Sequence, residues 1–477
     1  MNLDVRVTGG VVRGVGEGTV SVFRGIPYAA PPARFGAPQP VQPWDGVRQA
    51  STFGPPPPQS GVLGTDAMAE DGDDWLTVNV WSPDLGGGLP VMVWIQGGGY
   101  AFGTSGLPEY DGAALARGGV VVVTFNYRVG LEGFGYLDGT PPNRGLLDQV
   151  AALEWVRDNI DGFGGDPGRV TIFGQSAGGG SVAALLAMPR AAGLFRRAIA
   201  QSVPGAFFTP ALAADILAAC AAEIGVEPAE LPATDPLLLP AAGDAVMAGM
   251  ARFADRWGPA AHASVPFAPV VDGDVLPTTP WLGLSGEVDL LVGHTAHEQR
   301  LLTAMSGLLG RVTREQAEQS AHVFGPDPQA YLDAFPDPGE LYEVVRSDWL
   351  FRMPSLTLAD AQLAAGGRAH LYELTWPAPG MGGMFGACHG LDVPLVFGNL
   401  TLGQPAVLIG EVTPEAESVS AQMRGAWTAF ATSGDPGWPG FGDGSTRIFD
   451  AEPAVTPYPE QVSRAIWQSP PPVLDLL

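Results

Sequence analysis

The pattern of hydrophobic and polar positions changes near residue 89. Before it, short apolar runs alternate with glycine and proline, including four consecutive prolines at 55–58. Because both residue types interrupt regular structure, the first ninety residues are predicted to form short antiparallel strands and loops. After it, continuous β-branched runs at 91–95 and 120–125 predict central strands of a parallel sheet that is covered on both faces.

Strands and helices then alternate along the chain. Apolar residues recur with a helical period over 146–160, a strand-like run follows at 170–173, and a small-residue helix is predicted at 180–188. This order is typical of βαβ units and predicts a mostly parallel α/β sheet flanked by helices. Further strands are predicted at 290–293 and 369–374, and a further helix at 414–432.

Two stretches, 211–253 and 301–351, are rich in alanine, leucine and polar residues and lack clear strand runs. We predict that they belong to helical insertions above the sheet, near 205–265 and 300–355. No internal repeat and no long polar linker divides the chain. We therefore expect residues 1–477 to form a single domain that carries these insertions.

The charge balance excludes several functions. All 24 cationic residues are arginine, against 50 acidic residues and a net charge of −26. This balance argues against binding to nucleic acids and to anionic membranes, whose phosphates need a cationic surface. Without lysine there can be no Schiff-base lysine, no Ser-Lys dyad and no phosphate-binding lysine of a P-loop.

The cysteines and the apolar runs bear on location. Cys220 and Cys388 have no paired spacing, so they cannot form a disulfide framework or a four-thiolate zinc site, and a reducing compartment suits them. No apolar run reaches the ~18 residues that span a bilayer, and the N-terminus lacks the pattern of a signal peptide. A cytoplasmic protein is expected.

Residues 174–178 have the form G-x-S-x-G and lie between a predicted strand and a predicted helix. In that context the strained turn exposes the hydroxyl of Ser176 as a nucleophile, and the N–H of Ala177 points toward the reacting carbonyl. Upstream, Gly97, Gly98 and Gly99 end another strand. Successive glycine N–H groups can turn toward one oxyanion, although an isolated triple glycine is also compatible with a flexible turn.

A serine nucleophile needs a base, and the chain has six histidines, all after Ser176. Five of them sit in insertions, in a strand or beside an acid on one short segment. His389 lies in a loop after a strand and is the remaining candidate. The candidates set aside are His262, His294, His297, His322 and His370.

For the acid, Glu298 follows the predicted strand 290–293, where active sites of parallel sheets lie. Asp272, Asp274 and Asp392 compete on pattern alone. His294 and His297 beside Glu298 also suggest a metal site, but the spacing matches no known motif and no third ligand is recognisable, so no metal is expected.

The chain resembles the type-B carboxylesterase family along nearly its whole length. The motifs that carry the resemblance are Phe163-Gly164-Gly165 with 170–178, Arg24 to Ala29, Gln39 to Trp44, Asn126-Tyr127-Arg128, Gly145 to Gln149 and Val393 to Asn399. The resemblance implies an α/β-hydrolase fold that hydrolyses small-molecule carboxylic esters through an acyl-enzyme, without metal or cofactor. It also implies a triad of Ser176, Glu298 and His389, with oxyanion donors at Gly98, Gly99 and Ala177.

Three positions depart from the family pattern. Residues 73–76 read Asp-Asp-Trp-Leu where a cysteine is usual, so the first disulfide is absent. Gln175 precedes the nucleophile where glutamate is common, which weakens selection for cationic substrates. Residues 296–299 read Ala-His-Glu-Gln in place of the usual Asp-Glu-Gly segment.

We therefore expect an esterase for uncharged esters of small to medium acyl chain. An amidase or carbamate hydrolase with the same triad is an alternative, and so is a non-catalytic adhesion or binding module of this fold. The acyl and alcohol pockets are expected near Phe102, Phe207, Phe208 and Phe351.

Overall fold

The computed structural model describes residues 3–59, 72–468, 474 and 477 of the 477-residue chain. Within these residues, eleven strands form one large sheet and three form a separate small sheet. The strands are β1 (Asp4–Val7), β2 (Gly10–Arg13), β3 (Val15–Glu17), β4 (Val20–Pro27), β5 (Val47–Gln49), β6 (Thr77–Ser82), β7 (Leu89–Ile95), β8 (Val121–Phe125), β9 (Gly165–Gln175), β10 (Arg197–Gln201), β11 (Asp289–Thr295), β12 (Ala369–Leu374), β13 (Ser445–Phe449) and β14 (Ala454–Pro457).

The large sheet has the strand order β14-β13-β12-β11-β10-β9-β7-β8-β6-β4-β3. From β13 through to β8, neighbouring strands are parallel, whereas β14 at one edge and β6, β4 and β3 at the other pair antiparallel. The predicted mostly parallel sheet is confirmed. Among the strands, β10 had no clear signal in the pattern of apolar residues, yet it lies at the centre of the sheet beside β9.

Helices connect the parallel strands and make up most of residues 210–263 and 300–364. The α-helices are α1 (Ala113–Ala116), α2 (Gly130–Phe134), α3 (Arg144–Asn159), α4 (Ala177–Ala187), α5 (Pro210–Ile224), α6 (Leu238–Ala248), α7 (Ala254–Trp257), α8 (Pro259–Ala263), α9 (Pro280–Gly283), α10 (Arg300–Met305), α11 (Arg314–Phe324), α12 (Pro328–Ala334), α13 (Pro338–Ser347), α14 (Met353–Ala364), α15 (Asp392–Phe397), α16 (Ala406–Ile409), α17 (Pro414–Ser433) and α18 (Gln461–Gln468). A π-helix, Asp348–Arg352, joins α13 to α14. Within the described residues, no helix has both the length and the apolar character that crossing a bilayer requires.

The sheet is buried on both faces, which explains its continuous apolar strands. One face packs against a cluster that includes Leu153 of α3 and Val182 of α4. The opposite face packs against a second cluster with Trp427 and Phe430 of α17. A strand covered on both sides has no solvent-facing positions, so the alternation of apolar and polar residues is lost.

Candidate active site

The sequence-predicted residues gather where parallel strands end. Ser176 follows β9 directly, Glu298 follows β11 by three residues, and His389 lies in the loop after β12. Because β9, β10, β11 and β12 are parallel neighbours, their carboxyl ends meet at one edge of the sheet. This edge is where open α/β sheets place their ligands.

Ser176 occupies a strained turn between β9 and α4. Its φ of 59° and ψ of −126° lie in a region that residues other than glycine rarely adopt. The turn is tight because α4 begins at Ala177, three residues before the start that the sequence predicted. A Cβ at Gly178 would stand 2.0 Å from the carbonyl oxygen of Ile95. Glycine is therefore required there for close packing of the helix against β7.

His389 is held by Glu298. The Nδ1 atom of His389 lies 2.5 Å from Oε2 of Glu298, whose side chain is fully buried, while that of His389 is 12% exposed. The other oxygen, Oε1, accepts hydrogen bonds from the Ser202 hydroxyl at 2.6 Å and the Thr295 N–H at 2.7 Å. A carboxylate bonded to Nδ1 leaves Nε2 of a neutral imidazole free to act as a base.

The same contacts set the ionisation of Glu298. Burial acts to raise its pKa, but the charge of His389 and the hydrogen bonds from His389, Ser202 and Thr295 outweigh burial. Together they hold the pKa of Glu298 below its ordinary value. The carboxylate is therefore ionised at neutral pH, as an anion that stabilises an imidazolium must be.

The acids that competed with Glu298 have other partners. Asp392 accepts hydrogen bonds from Gln201 and from the hydroxyl of Tyr372. Asp272 accepts from the N–H groups of the turn that follows it and from Asn143, while Asp274 forms an exposed ion pair with Arg190. Of the candidate acids that the sequence left open, Glu298 is the one that hydrogen-bonds His389 in this structure.

His294 and His297, which suggested a metal site, are used separately. His294 is buried and hydrogen-bonds the hydroxyl of Tyr458. His297 donates its N–H to the carbonyl of Ala387 at 2.9 Å and accepts the N–H of Ala387 on Nδ1 at 3.3 Å. His297 thus fastens the loop of Glu298 to the loop of His389.

Two neighbours of the histidine and its acid come from distant parts of the chain. Ser202, which sequence reasoning missed, directly follows β10 and also has a positive φ of 51°. No sequence signal marks it, because the apolar stretch before it covers only residues 198–200 and Gln201 intervenes. Phe351, one of the predicted pocket residues, stacks on His389 with ring centroids 4.2 Å apart and an angle of 30° between planes. Phe207 and Phe208 belong to the same buried core cluster as Phe351.

Gln175 lies at the other ring nitrogen of His389. Its amide nitrogen is 3.1 Å from Nε2 of His389. Within the described residues, the hydroxyl of Ser176 makes no hydrogen bond to the ring. Such bonds are often long before substrate binds and tighten in the complex.

The glycine loop after β7 supplies backbone donors. Gly98 has a φ of 113° and Gly99 a φ of 58°. A Cβ at Gly98 would stand 2.1 Å from the carbonyl oxygen of Phe102, so the loop closes tightly only with glycine. Among residues 3–59 and 72–468, the N–H groups of Gly98, Gly99 and Ala177 find no acceptor. Three N–H groups are thus available at the edge of the sheet that carries Ser176.

A parallel α/β sheet with a serine on a strand-to-helix turn and a glycine loop after a neighbouring strand is an α/β-hydrolase fold. A family model described as the carboxylesterase family matches residues 2–327 and 331–458. The chain therefore belongs to the carboxylesterase family of carboxylic ester hydrolases.

Individual relatives agree with this assignment. The chain is 37% identical over 481 residues to para-nitrobenzyl esterase of Bacillus subtilis (strain 168), covering 95% of this chain and 96% of that one. It is 34% identical over 454 residues to phenmedipham hydrolase of Pseudarthrobacter oxydans, covering 90% of each. A solved carboxylesterase of Geobacillus stearothermophilus superposes with a TM-score of 0.86 at 33% identity, covering 98% of this chain and 100% of that one.

Proposed function

We propose that this protein hydrolyses uncharged carboxylic esters of small to medium acyl chain through an acyl-enzyme on Ser176. The observation that carries the proposal is the hydrogen bond between His389 and the buried Glu298, next to the strained turn of Ser176. The neutral amide of Gln175 beside the histidine ring supports the preference for uncharged substrates. A carboxylate there would attract cations.

In the first half of the reaction, Nε2 of His389 accepts the proton of the Ser176 hydroxyl as Oγ bonds to the ester carbonyl carbon. The carbonyl oxygen becomes an oxyanion, which the N–H groups of Gly98, Gly99 and Ala177 stabilise. Glu298 stabilises the imidazolium that forms. The bond to the alcohol oxygen then breaks, and the imidazolium returns its proton to the departing alcohol.

In the second half, water attacks the acyl-enzyme. His389 takes a proton from the water, the water oxygen bonds to the acyl carbon, and the same N–H groups hold the second oxyanion. When the bond to Ser176 breaks, the serine regains its proton from His389 and the carboxylic acid leaves. Losing one oxyanion donor costs about 3 kcal/mol of transition-state stabilisation in enzymes of this kind.

We propose further that the whole chain acts as one catalytic domain in the cytoplasm. In support of a single domain, Phe351 from the second helical insertion contacts His389. In support of a reducing compartment, Cys220 and Cys388 are buried and unpaired.

The test is hydrolysis of para-nitrophenyl esters of increasing acyl length by the wild type and by Ser176→Ala. We expect the variant to lose activity by about 10⁶-fold, because the nucleophile acts as a unit with its base. Ser418→Ala, which removes an exposed hydroxyl of α17, serves as the control and should retain full activity.

Full activity in Ser176→Ala would contradict the assigned nucleophile. Activity of the wild type on matched amides or carbamates, but on no ester, would favour the alternative leaving groups. Inactivity toward all three substrate classes would favour a binding role for the fold.

A further inference from the structure

A cavity of about 180 Å³ lies between α8, α11 and α13, in the helical insertions. Its polar wall includes Arg346, Ser320, Gln316 and Gln319, and aromatic rings of Phe324 and Tyr342 complete it. None of these residues contributes to the proposed triad or to its donors. The volume suits a molecule of a few non-hydrogen atoms, since a water molecule occupies about 30 Å³ of liquid.

Arg346 is clamped between two aromatic rings of this cavity. Its guanidinium carbon lies 4.7 Å from the ring centre of Phe324 and 4.9 Å from that of Tyr342. One terminal nitrogen donates to the carbonyl of His262 at 3.2 Å, and the Nε atom is buried without an acceptor. The two rings fix the plane of the guanidinium, and its Nε–H group is left without an acceptor.

Within the described residues, no carboxylate lies within 4.0 Å of the Arg346 guanidinium. The more deeply buried arginines are better satisfied: Arg128 pairs with Asp148, Arg352 with Asp348, and Arg144 donates to four backbone carbonyls. Burial lowers the pKa of Arg346 below its ordinary value, as expected for a cation without a counter-charge. Sequestering an uncompensated charge costs free energy that an anionic ligand would offset.

We propose that this cavity is a binding site for a small carboxylate anion. The planar guanidinium of Arg346 matches the two oxygens of a carboxylate, which can accept two parallel hydrogen bonds. The hydroxyl of Ser320 and the amides of Gln316 and Gln319 are further donors on the wall. Leu308 and Val323 line the same cavity and provide an apolar surface for a short aliphatic or aromatic group.

The experiment is isothermal titration of the full chain with sodium butyrate and sodium benzoate at pH 7 and low ionic strength. The expected result is saturable binding that weakens at least tenfold in Arg346→Met, which keeps an apolar stem but removes the charge. Butyramide and benzamide, which are neutral and of similar shape, should bind at least tenfold more weakly than the acids. Arg314→Met removes an exposed arginine of the same cavity-forming α11 and should bind like the wild type.

Arg346→Lys gives a second test if the methionine variant does not fold, since lysine keeps the charge but lacks the planar fork. It should weaken binding several-fold. The proposal is overturned if the wild type binds neither carboxylate, or if Arg346→Met binds as tightly as the wild type, as it would if the acids bound only near Ser176. Equally tight binding of chloride would also overturn it, because a carboxylate site depends on the paired oxygens.

Discussion

Two serines with positive φ, Ser176 and Ser202, stand at the ends of adjacent parallel strands of the large sheet. Ser176 follows β9, and Ser202 follows β10 and donates to Glu298. The backbone ties them together, because the N–H of Ser176 donates to the carbonyl of Gln201 at 3.0 Å. Backbone strain from a positive φ persists only where many surrounding contacts hold the residue in that conformation.

Ser202→Ala removes one of the hydrogen bonds that hold the pKa of Glu298 down. The pKa then rises, so the carboxylate is neutralised at a higher pH during acidification. We expect the acid side of the kcat/KM profile to move to higher pH, since a hydrogen bond to a charged group contributes about 1.5 kcal/mol and its loss weakens the ionised form. Activity above pH 8 should change little. If the acid side of the kcat/KM profile did not move, the hydrogen bond from Ser202 would not control the pKa of Glu298.

Phe351 covers one face of the His389 ring. Phe351→Leu keeps an apolar side chain but loses the stacking, which contributes about 1 kcal/mol for such ring pairs. We expect kcat to fall about fivefold while KM stays nearly constant, because the ring of the base becomes less well oriented. Phe351→Tyr, which preserves the ring, is the control. Equal kcat values for the leucine variant and the wild type would exclude this role.

At the scale of elements, the turn from β9 to α4 depends on close backbone contact. Gly178→Ala places a Cβ 2.0 Å from the carbonyl oxygen of Ile95, so α4 must move away from β7. We expect both a lower midpoint of thermal unfolding and a large loss of esterase activity, because Ser176 and the N–H of Ala177 move with the helix.

Gly425→Ala is the matched control. Gly425 lies inside α17, and nothing stands within 4 Å of an added Cβ. The substitution should raise stability by about 1 kcal/mol, since alanine is the better helix former, and leave activity unchanged. If the two variants had the same thermal midpoint and activity, backbone contact at Gly178 would not be what shapes the turn.

At the scale of the molecule, the burial of His294 and the burial of Asp392 have opposite effects on how the free energy of unfolding changes with pH. Burial lowers the pKa of His294 to about 4, so the stability from its neutral form is present above pH 6.5 and lost as the pH falls through 4. Burial raises the pKa of Asp392 to about 6, so the stability from its protonated form is present below pH 3.8 and lost as the pH rises through 6.

Asp392→Asn keeps the shape of the side chain but cannot ionise. It therefore removes the loss of stability that ionisation of Asp392 causes as the pH rises. The gain in the free energy of unfolding between pH 4.5 and pH 7 should therefore be larger in the variant than in the wild type, by about 2 kcal/mol. Urea unfolding at the two pH values measures it. A smaller gain in the variant than in the wild type would mean that Asp392 is not destabilised by burial.

The local parts of this protein follow from short stretches of its sequence. The apolar runs predicted β7, β8 and β12, and the helical periods predicted α3 and α17, because backbone conformation and burial follow from neighbouring residues. The turn of Ser176 was also predictable, since its glycines lie within two positions of the serine. Elimination among the histidines pointed to His389, the position after a strand pointed to Glu298, and the family resemblance implied the same two residues.

Which side chains meet depends on how the whole chain packs. Glu298 and His389 are 91 residues apart in sequence, and Ser202 is 96 residues from Glu298. Their contacts depend on the register of parallel strands and on two loops fastened by His297. The stack of Phe351 on His389 likewise depends on the π-helix that contains Phe351, and no local sequence pattern predicted that helix. Distances of this kind are set by how whole strands and helices pack, and no short stretch of sequence encodes them.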